Sequence, residues 1–309
     1  MDNLTHAALG VCAGLAARRA GAPVAPAALA ALLAAEAPDL DVLIRSANDP
    51  LVAFRWHRHF THSFAFLPVF MFLAAWLAAW IFRGKHETST HQLLLPAAAG
   101  GLSHLLCDAC TSYGTMLLWP FSDARIAWDC LPIVDVAVTL PLVILALRAW
   151  KTHRHALAYA GLGWFVLYAG VGRIQHNRAE AALYTWSKDL PVSRLAAKPT
   201  ISNLILWRGI WLEGDVWHVG AVRVPLWGPI QVLERENRWR GHLRPRARRM
   251  QARPMGLSSR TSVDSPEAGT ASSRAPTAHW SSATSASRSY PTAPRRFGPC
   301  DCKVPTTPR

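Results

Sequence analysis

Hydrophobic positions dominate the first 174 residues and arrive in blocks rather than in alternation. Ser63–Phe82, Leu131–Trp150 and Ala156–Ile174 are each about 20 residues long with few charges, the length a helix needs to cross a hydrocarbon core. Leu4–Ala17 and Val24–Ala37 are shorter and rich in alanine. They suit short spanning helices or a re-entrant hairpin turning at Arg18-Arg19-Ala20-Gly21, with small residues that let backbones approach closely. Gln92–Cys107 contains Gly100-Gly101 and His104 and reads as a helix packed among others. After Ile174 the pattern changes. Ile205–Trp211 and Val216–Val222 are aromatic and β-branched and flank Leu212-Glu213-Gly214-Asp215, which predicts a β-hairpin. From 233 onward arginine, serine, threonine, alanine and proline dominate with no apolar period, a composition that cannot bury enough surface to offset chain entropy.

The pattern predicts an all-α polytopic membrane protein of about four to six membrane helices. Residues 1–174 form the membrane-embedded domain, 175–232 a small extramembrane lobe with a β-hairpin, and 233–309 a disordered basic tail. Met1–His6 lacks the basic start of a secretory signal, and Arg18-Arg19 follow the first apolar stretch, so the N-terminus is expected to be retained.

Composition refines this picture in two places. The formal charge is +14, but residues 231–309 carry 15 Lys/Arg against 5 Asp/Glu, so most of the excess belongs to the tail. Nucleic acid is therefore not the expected partner; membrane lipids are. The six cysteines show no zinc-finger spacing. A disulfide among Cys107, Cys110 and Cys130 is open on sequence grounds.

Charge also orients the chain. Arg18/Arg19, Arg83/Lys85 and Arg148/Lys151/Arg154 occupy alternate turns between apolar blocks, and basic short loops mark the cytoplasmic side. His6, Asp39, Asp41, His57, His62, Asp108, Asp135 and His176 then fall at the opposite side.

Those opposite-side residues carry the chemistry. His57-Arg58-His59-Phe60-Thr61-His62-Ser63 sets three imidazoles within six residues ahead of an apolar run. Pro38-Asp39-Leu40-Asp41 puts two carboxylates in a turn after an apolar helix. His104 and Asp108, four apart, share a helix face. Ionisable residues in membrane segments are costly and usually functional, and these supply the nitrogen and oxygen donors of a divalent metal site. The competing reading is a set of polar pairs satisfied within the bundle. His57 and His62, five apart, do not share a regular helix face, so one belongs to the loop before the helix and the other to its start. Arg55 and Arg58 suit an anionic substrate. Asp135 sits within an apolar run, and His6 is a candidate extra ligand. No Gly-rich phosphate loop and no Gly-x-Ser-x-Gly elbow is present.

The ordered set Met1–His6, Pro38-Asp39-Leu40-Asp41, His57-Arg58-x-x-Thr61-His62-Ser63, His104-x-x-x-Asp108, Thr111–Thr115 and Trp119-Pro120-Phe121-Ser122 resembles bacterial inner-membrane proteins assigned as metal-dependent hydrolases, also described as LexA-binding membrane proteins. The resemblance spans about residues 1–225 and does not cover the tail. It implies a multi-pass protein of the inner (cytoplasmic) membrane, remotely like zinc-dependent phospholipase C folds. Carried over by motif, the metal ligands are Asp39, Asp41, His57, His62, His104 and Asp108. His59 stands where such proteins usually have glycine.

The expectation is a membrane-bound hydrolase that holds a divalent metal, zinc, at the membrane surface and activates water for attack on a phosphoester or lipid-derived substrate. Asp39, Asp41 and His62 are the expected catalytic groups, and Arg55 and Arg58 the substrate contacts. The alternative is a non-catalytic membrane protein that binds a regulator or passes an ion through the His/Asp cluster.

Overall fold

The architecture is that of a helical bundle whose last helix carries a small antiparallel sheet. It is taken from a computed structural model that describes residues 1–49, 51–85 and 88–234. The helices are α1 (Asn3–Ala17), α2 (Val24–Glu36), α3 (Leu51–Trp56), α4 (Leu67–Phe82), α5 (Thr90–Ala109), α6 (Val136–Thr152) and α7 (His155–Trp186). Short 3-10 turns at Pro38–Leu43 and Phe60–His62 flank α3. The tail expected to be disordered, including Cys300 and Cys302, lies almost wholly outside the described residues.

Local chemistry sets several helix starts. The Asp2 carboxylate accepts the Thr5 N–H at 3.0 Å and opens α1. Ser89 and Gln92 form a reciprocal capping box on α5, and Asp135 caps α6 through the Ala137 N–H. Such caps satisfy backbone donors that a helix start leaves unpaired.

The α1–α2 pair is the antiparallel hairpin suggested by the alanine-rich segments: Gly10 abuts Ala35 and Gly14 abuts Ala31. α5 closes on it through Gly100, where an added Cβ would lie 2.2 Å from the Ala31 carbonyl oxygen. Only glycine permits that approach. α4 packs on α2 and α5, while α6 and α7 pack on α1.

One helix, α7, is long and apolar enough to cross a membrane; counted as one bent span, the segments Leu51–His62 and Leu67–Phe82, at 79° to each other, would make a second. The four to six spans expected from hydropathy are thus reduced to one or two by length and composition among the described residues. The reasons are local. A turn at Phe64–Phe66 shortens the Ser63–Phe82 block to the 16 residues of α4, and the Asp135 cap shortens the next block to the 17 residues of α6. α5 has 20 residues but carries His91, Gln92, Ser103, His104 and Asp108, and does not meet the apolarity of a span.

The expected hairpin is present as β2 (Leu206–Glu213) and β3 (Val216–Arg223), turning at Gly214-Asp215 with Gly214 at φ +55°. Two further strands were not expected: β1 (Val192–Pro199) and β4 (Gln231–Glu234) complete a meander in the order β1-β2-β3-β4. Trp207, Val222 and Val224 of the sheet region bury against Ala179 and Leu183 of α7, which runs on past residue 174 as one helix to Trp186.

The bundle has two chemically distinct ends. Arg18 meets His155 at 2.7 Å, and His155 reaches the Leu15 carbonyl at 3.0 Å, so the C-terminus of α1 and the start of α7 share the basic end. His155 is therefore engaged at both ring nitrogens. At the other end converge the start of α1, the turn after α2, the turn before α4, the end of α5 and the start of α6, where Thr5 and Thr139 hydroxyls lie 2.6 Å apart.

Candidate metal centre

The turn after α2 begins the site. Pro38 opens a 3-10 helix whose first turn holds Asp39 and Asp41; Asp41 is buried. The chain then runs through α3 and reverses at Arg58, which adopts a left-handed φ of +59°. For a residue with a Cβ this conformation costs about 1–3 kcal/mol and persists where the surroundings over-determine it. Here the Arg58 N–H donates to Asp41 Oδ2 at 2.9 Å, and the Arg58 carbonyl accepts from Met116 N–H at 3.2 Å. The reversal places His57 and His62 on two sides of Asp41.

The hydrogen bonds fix the imidazole tautomers. An ionised carboxylate only accepts, so His57 Nδ1–H donates to Asp41 Oδ1 at 2.8 Å. Thr61 spends its hydroxyl proton on Asp41 Oδ2 at 3.0 Å. His62 Nδ1–H therefore donates to Thr61 Oγ1 at 3.0 Å, with Asp41 Oδ2 at 3.3 Å. That leaves His62 Nε2 directed at Asp39 Oδ1 and Asp108 Oδ2, each 3.3 Å away. A histidine whose far nitrogen is anchored to oxygen acceptors is the usual arrangement behind a metal ligand.

From α5, His104 brings Nε2 to 3.8 Å from Asp39 Oδ1 and 3.7 Å from Asp108 Oδ2. One ligand atom each from Asp39, His62, His104 and Asp108 lies within 4.8 Å of the others. His62 Nε2, both ring nitrogens of His104 and Asp108 Oδ2 are buried without a hydrogen-bond partner. Orphaned buried polar atoms are rare; of these, His62 Nε2 and His104 Nε2 lie together with Asp39 Oδ1 and with Asp108 Oδ2, which Arg58 Nε also faces at 3.0 Å. A second group, Asp39, Asp41 and His57, shares Asp39 with the first. These groups can hold a metal ion.

Two side chains outside the helices carry the charge balance. Burial pushes the His62 imidazole toward neutrality, but Asp108, Asp39 and Asp41 more than reverse this and raise it to about 10. Burial would likewise raise the Asp41 carboxyl, yet hydrogen bonds from His57, His62 and the Arg58 N–H bring it well below the ordinary carboxylate range. Both shifts say that the pocket favours a positive charge beside its carboxylates.

The remaining sequence candidates separate cleanly. Arg58 is buried, with Nε 3.0 Å from Asp108 Oδ2 and Nη1 donating to Thr111 Oγ1 at 2.6 Å. Its guanidinium is thus engaged with a residue of the cluster. Arg55 is exposed and 3.6 Å from Asp49. His6 stacks on His104 with ring centroids 3.9 Å apart and lies behind Asp108, 3.1 Å from Oδ1; the Met1 amine also pairs with that oxygen. Asp135 receives the Ala137 N–H and, at 2.8 Å, the Tyr168 hydroxyl, so its polarity is consumed by capping. His176 pairs with Glu180 and packs on Trp207, apart from the cluster. His59 packs among Trp56, Phe60 and Trp119. The four described cysteines are buried free thiols.

Three residues support the site in ways the sequence motifs, which include Thr61 and Thr111, did not assign. Thr61 and Thr111 hold His62 and Arg58, and Arg125 donates to the carbonyls of Arg55, His57 and Gly114. The first two sit within three residues of a cluster residue; Arg125 carried no local signal.

Against known families, the model described as YdjM inner membrane protein matches residues 1–179. The chain belongs to that family. The matched span contains every residue of the His/Asp cluster and ends inside α7, before the sheet. The YdjM family is the inner-membrane family that the ordered motifs resemble. No curated protein and no solved structure matches the chain.

Proposed function

We propose that the chain is a membrane-embedded, metal-dependent hydrolase acting on a phosphoester or lipid-derived ester. The observation that carries this reading is the convergence of Asp39, His62, His104 and Asp108, in which both imidazoles present a buried Nε2 without a hydrogen-bond partner. Two imidazoles and two carboxylates suit zinc among divalent ions. When bound, such an ion supplies Lewis-acid polarisation of the scissile group and acidifies a water. The protein's own part is orientation. Asp41 and Thr61 aim His62, Arg58 aims Asp108, and Asp39 is the most accessible of the four, 14% exposed, and so is placed as a base when it is not ligating.

The family places the chain at the inner membrane, and a multi-pass arrangement fits the distribution of side-chain size. Large apolar residues face outward on α4 (Phe72, Trp76, Trp80), α6 (Leu140, Ile144, Leu147) and α7 (Val166, Leu167, Ile174), while Ala27, Ala30, Ala31 and Ala34 of α2 are buried. Small residues at helix contacts with bulky residues outside suit a lipid solvent. With the basic end cytoplasmic, the cluster lies at the extracytoplasmic surface. Arg45 and Arg55 near the site suit an anionic substrate.

Metal analysis of the purified protein beside His62→Ala and Asp108→Ala tests the metal half of the reading. Stoichiometric metal lost in both variants supports it, and unchanged content in both would sink it. A screen of phosphoester and lipid ester substrates on metal-loaded protein in detergent tests the hydrolase half. The regulator or ion-passage alternative draws on the same His/Asp cluster, while Asp135 is engaged as the α6 cap.

A further inference from the structure

The apolar part of α7 ends at Ile174, and Gln175-His176-Asn177-Arg178 follow it within the same helix. From Ala156 to Ile174 the helix rises about 28 Å at about 1.5 Å per residue, which matches a hydrocarbon core of about 30 Å. Residues 175–178 therefore mark the membrane surface opposite the basic end. The sheet hangs at that level. Gln175 Nε2 donates to the Leu204 and Val224 carbonyls at 3.2 and 2.8 Å, and Arg178 Nη1 donates to the Pro225 carbonyl at 2.9 Å.

The antiparallel meander puts the β1–β2 and β3–β4 connections at one end and the β2–β3 turn at the other. The two ends differ in chemistry. Residues 200–205 and 224–230 contain no charged side chain, yet they expose Ile201 (74%), Ile205, Leu226 and Trp227 (85%). The opposite end carries Lys188, Asp189, Glu213 and Asp215. The first connection is also docked on the bundle. Ser202 N–H donates to the Val134 carbonyl at 3.0 Å, just ahead of α6, where Ile133, Val134 and Val136 are exposed as well. Its polar groups are consumed within it. Asn203 Oδ1 accepts the N–H groups of Ile205 and Leu206 at 3.1 and 2.6 Å, Asn203 Nδ2 donates to Thr200 Oγ1 at 2.9 Å, and the Thr200 hydroxyl donates to the Leu206 carbonyl at 2.6 Å. Internal satisfaction of backbone groups is what a segment needs where water is scarce.

We propose that these two connections form a membrane-docking edge, which inserts Ile201, Ile205, Leu226 and Trp227 into the boundary between headgroups and acyl chains of the surrounding phospholipid. Exposed apolar patches mark membrane or partner sites. Three observations select lipid as the occupant: the edge is level with the end of the apolar part of α7, it is uncharged, and it adjoins the exposed apolar start of α6. An indole at that depth is the usual interfacial anchor. The inference uses the inner-membrane placement of the family and is independent of the hydrolase reading. It also gives a role to the sheet, which lies beyond the residues the family model matches. Seated on the membrane, the sheet holds the end of α7 and the segment ahead of α6 at one depth, at the end of the bundle that carries the His/Asp cluster.

The test places a nitrobenzoxadiazole probe on single cysteines, Ile201→Cys, Trp227→Cys and Asp215→Cys, in the whole chain carrying Cys300→Ser and Cys302→Ser; the four described cysteines are buried. Each labelled protein is checked for a wild-type thermal transition and reconstituted in vesicles of phosphatidylethanolamine and phosphatidylglycerol. Ile205→Cys replaces either loop position that fails this check. Probes at 201 and 227 should emit at shorter wavelength than the probe at 215. They should be quenched severalfold more by a nitroxide on the lipid acyl chain, and severalfold less by iodide in the water. Equal quenching at 201, 227 and 215 by either agent would overturn the proposal. Protection of 201 and 227 from both agents would overturn it too, and would assign the edge to a protein surface, a second copy of the chain included.

Discussion

Replacing Arg58 with alanine removes a cation from a place where nothing else can follow it. The guanidinium is buried, pairs with Asp108 Oδ2 at 3.0 Å and donates to Thr111. Breaking a buried pair from one side costs about 3–5 kcal/mol, because the remaining charge stays desolvated. Asp108 keeps the Met1 amine and His6 on its other oxygen, which points to the lower end of that range. For a chain of this size, about 2–4 °C of midpoint per kcal/mol turns about 3 kcal/mol into a fall of about 6–12 °C. The assay is thermal unfolding in detergent with metal removed, on wild type, Arg58→Ala and Arg58→Lys. Lysine keeps the charge but cannot reach Asp108 and Thr111 at once with a fork, so it should fall between the two. A midpoint within about 2 °C of wild type for Arg58→Ala, less than about 1 kcal/mol on that scale, would refute the reasoning. Such a result combined with a raised KM would return Arg58 to the substrate-contact role suggested by its sequence position.

Other consequences are narrower. Asp135→Ala removes the α6 cap and the acceptor of the Tyr168 hydroxyl; it should cost about 2–3 kcal/mol in thermal unfolding and leave metal content unchanged. Gly100→Ala drives a methyl group against the Ala31 carbonyl, costing about 1–3 kcal/mol and weakening metal binding, since the contact sets the approach of α5 to the turn holding Asp39. A pH series separates proton from metal. In metal-free protein His62 is raised to about 10, so its contribution is full below about 6.5 and is lost as pH rises toward 10. Asp41 is lowered, so its contribution is present above about 3.8 and lost as pH falls below that. Metal must displace the His62 proton, so the gain in midpoint on adding zinc should grow between pH 5 and pH 9; a constant gain would contradict the proton–metal competition.

The site was more legible than the membrane architecture. Ligand spacing is local chemistry: Asp39 follows a helix-ending Pro38, and His104 and Asp108 lie one turn apart. Arg18 and Arg154 do share the end of the bundle where α1 finishes and α7 starts, because helix ends alternate along an up-and-down chain. Hydropathy could not see that Asp135 would cap α6 or that Phe64–Phe66 would turn, so apolar blocks of about 20 residues became helices of 16 and 17. Arg58 read as a substrate contact because an isolated arginine near acids looks free; its inward direction follows from a left-handed φ that sequence does not announce. β1 was missed because Val192–Pro199 lacks apolar alternation and is held by pairing with β2.

The central claim is that Asp39, His62, His104 and Asp108 close on one divalent ion. X-ray absorption spectroscopy of the metal-loaded protein, beside His104→Ala and His57→Ala, tests it most directly. The account predicts a shell of oxygen and nitrogen donors with two imidazoles, dropping to one in His104→Ala and staying at two in His57→Ala. No stoichiometric metal, or an imidazole count untouched by His104→Ala, would contradict it.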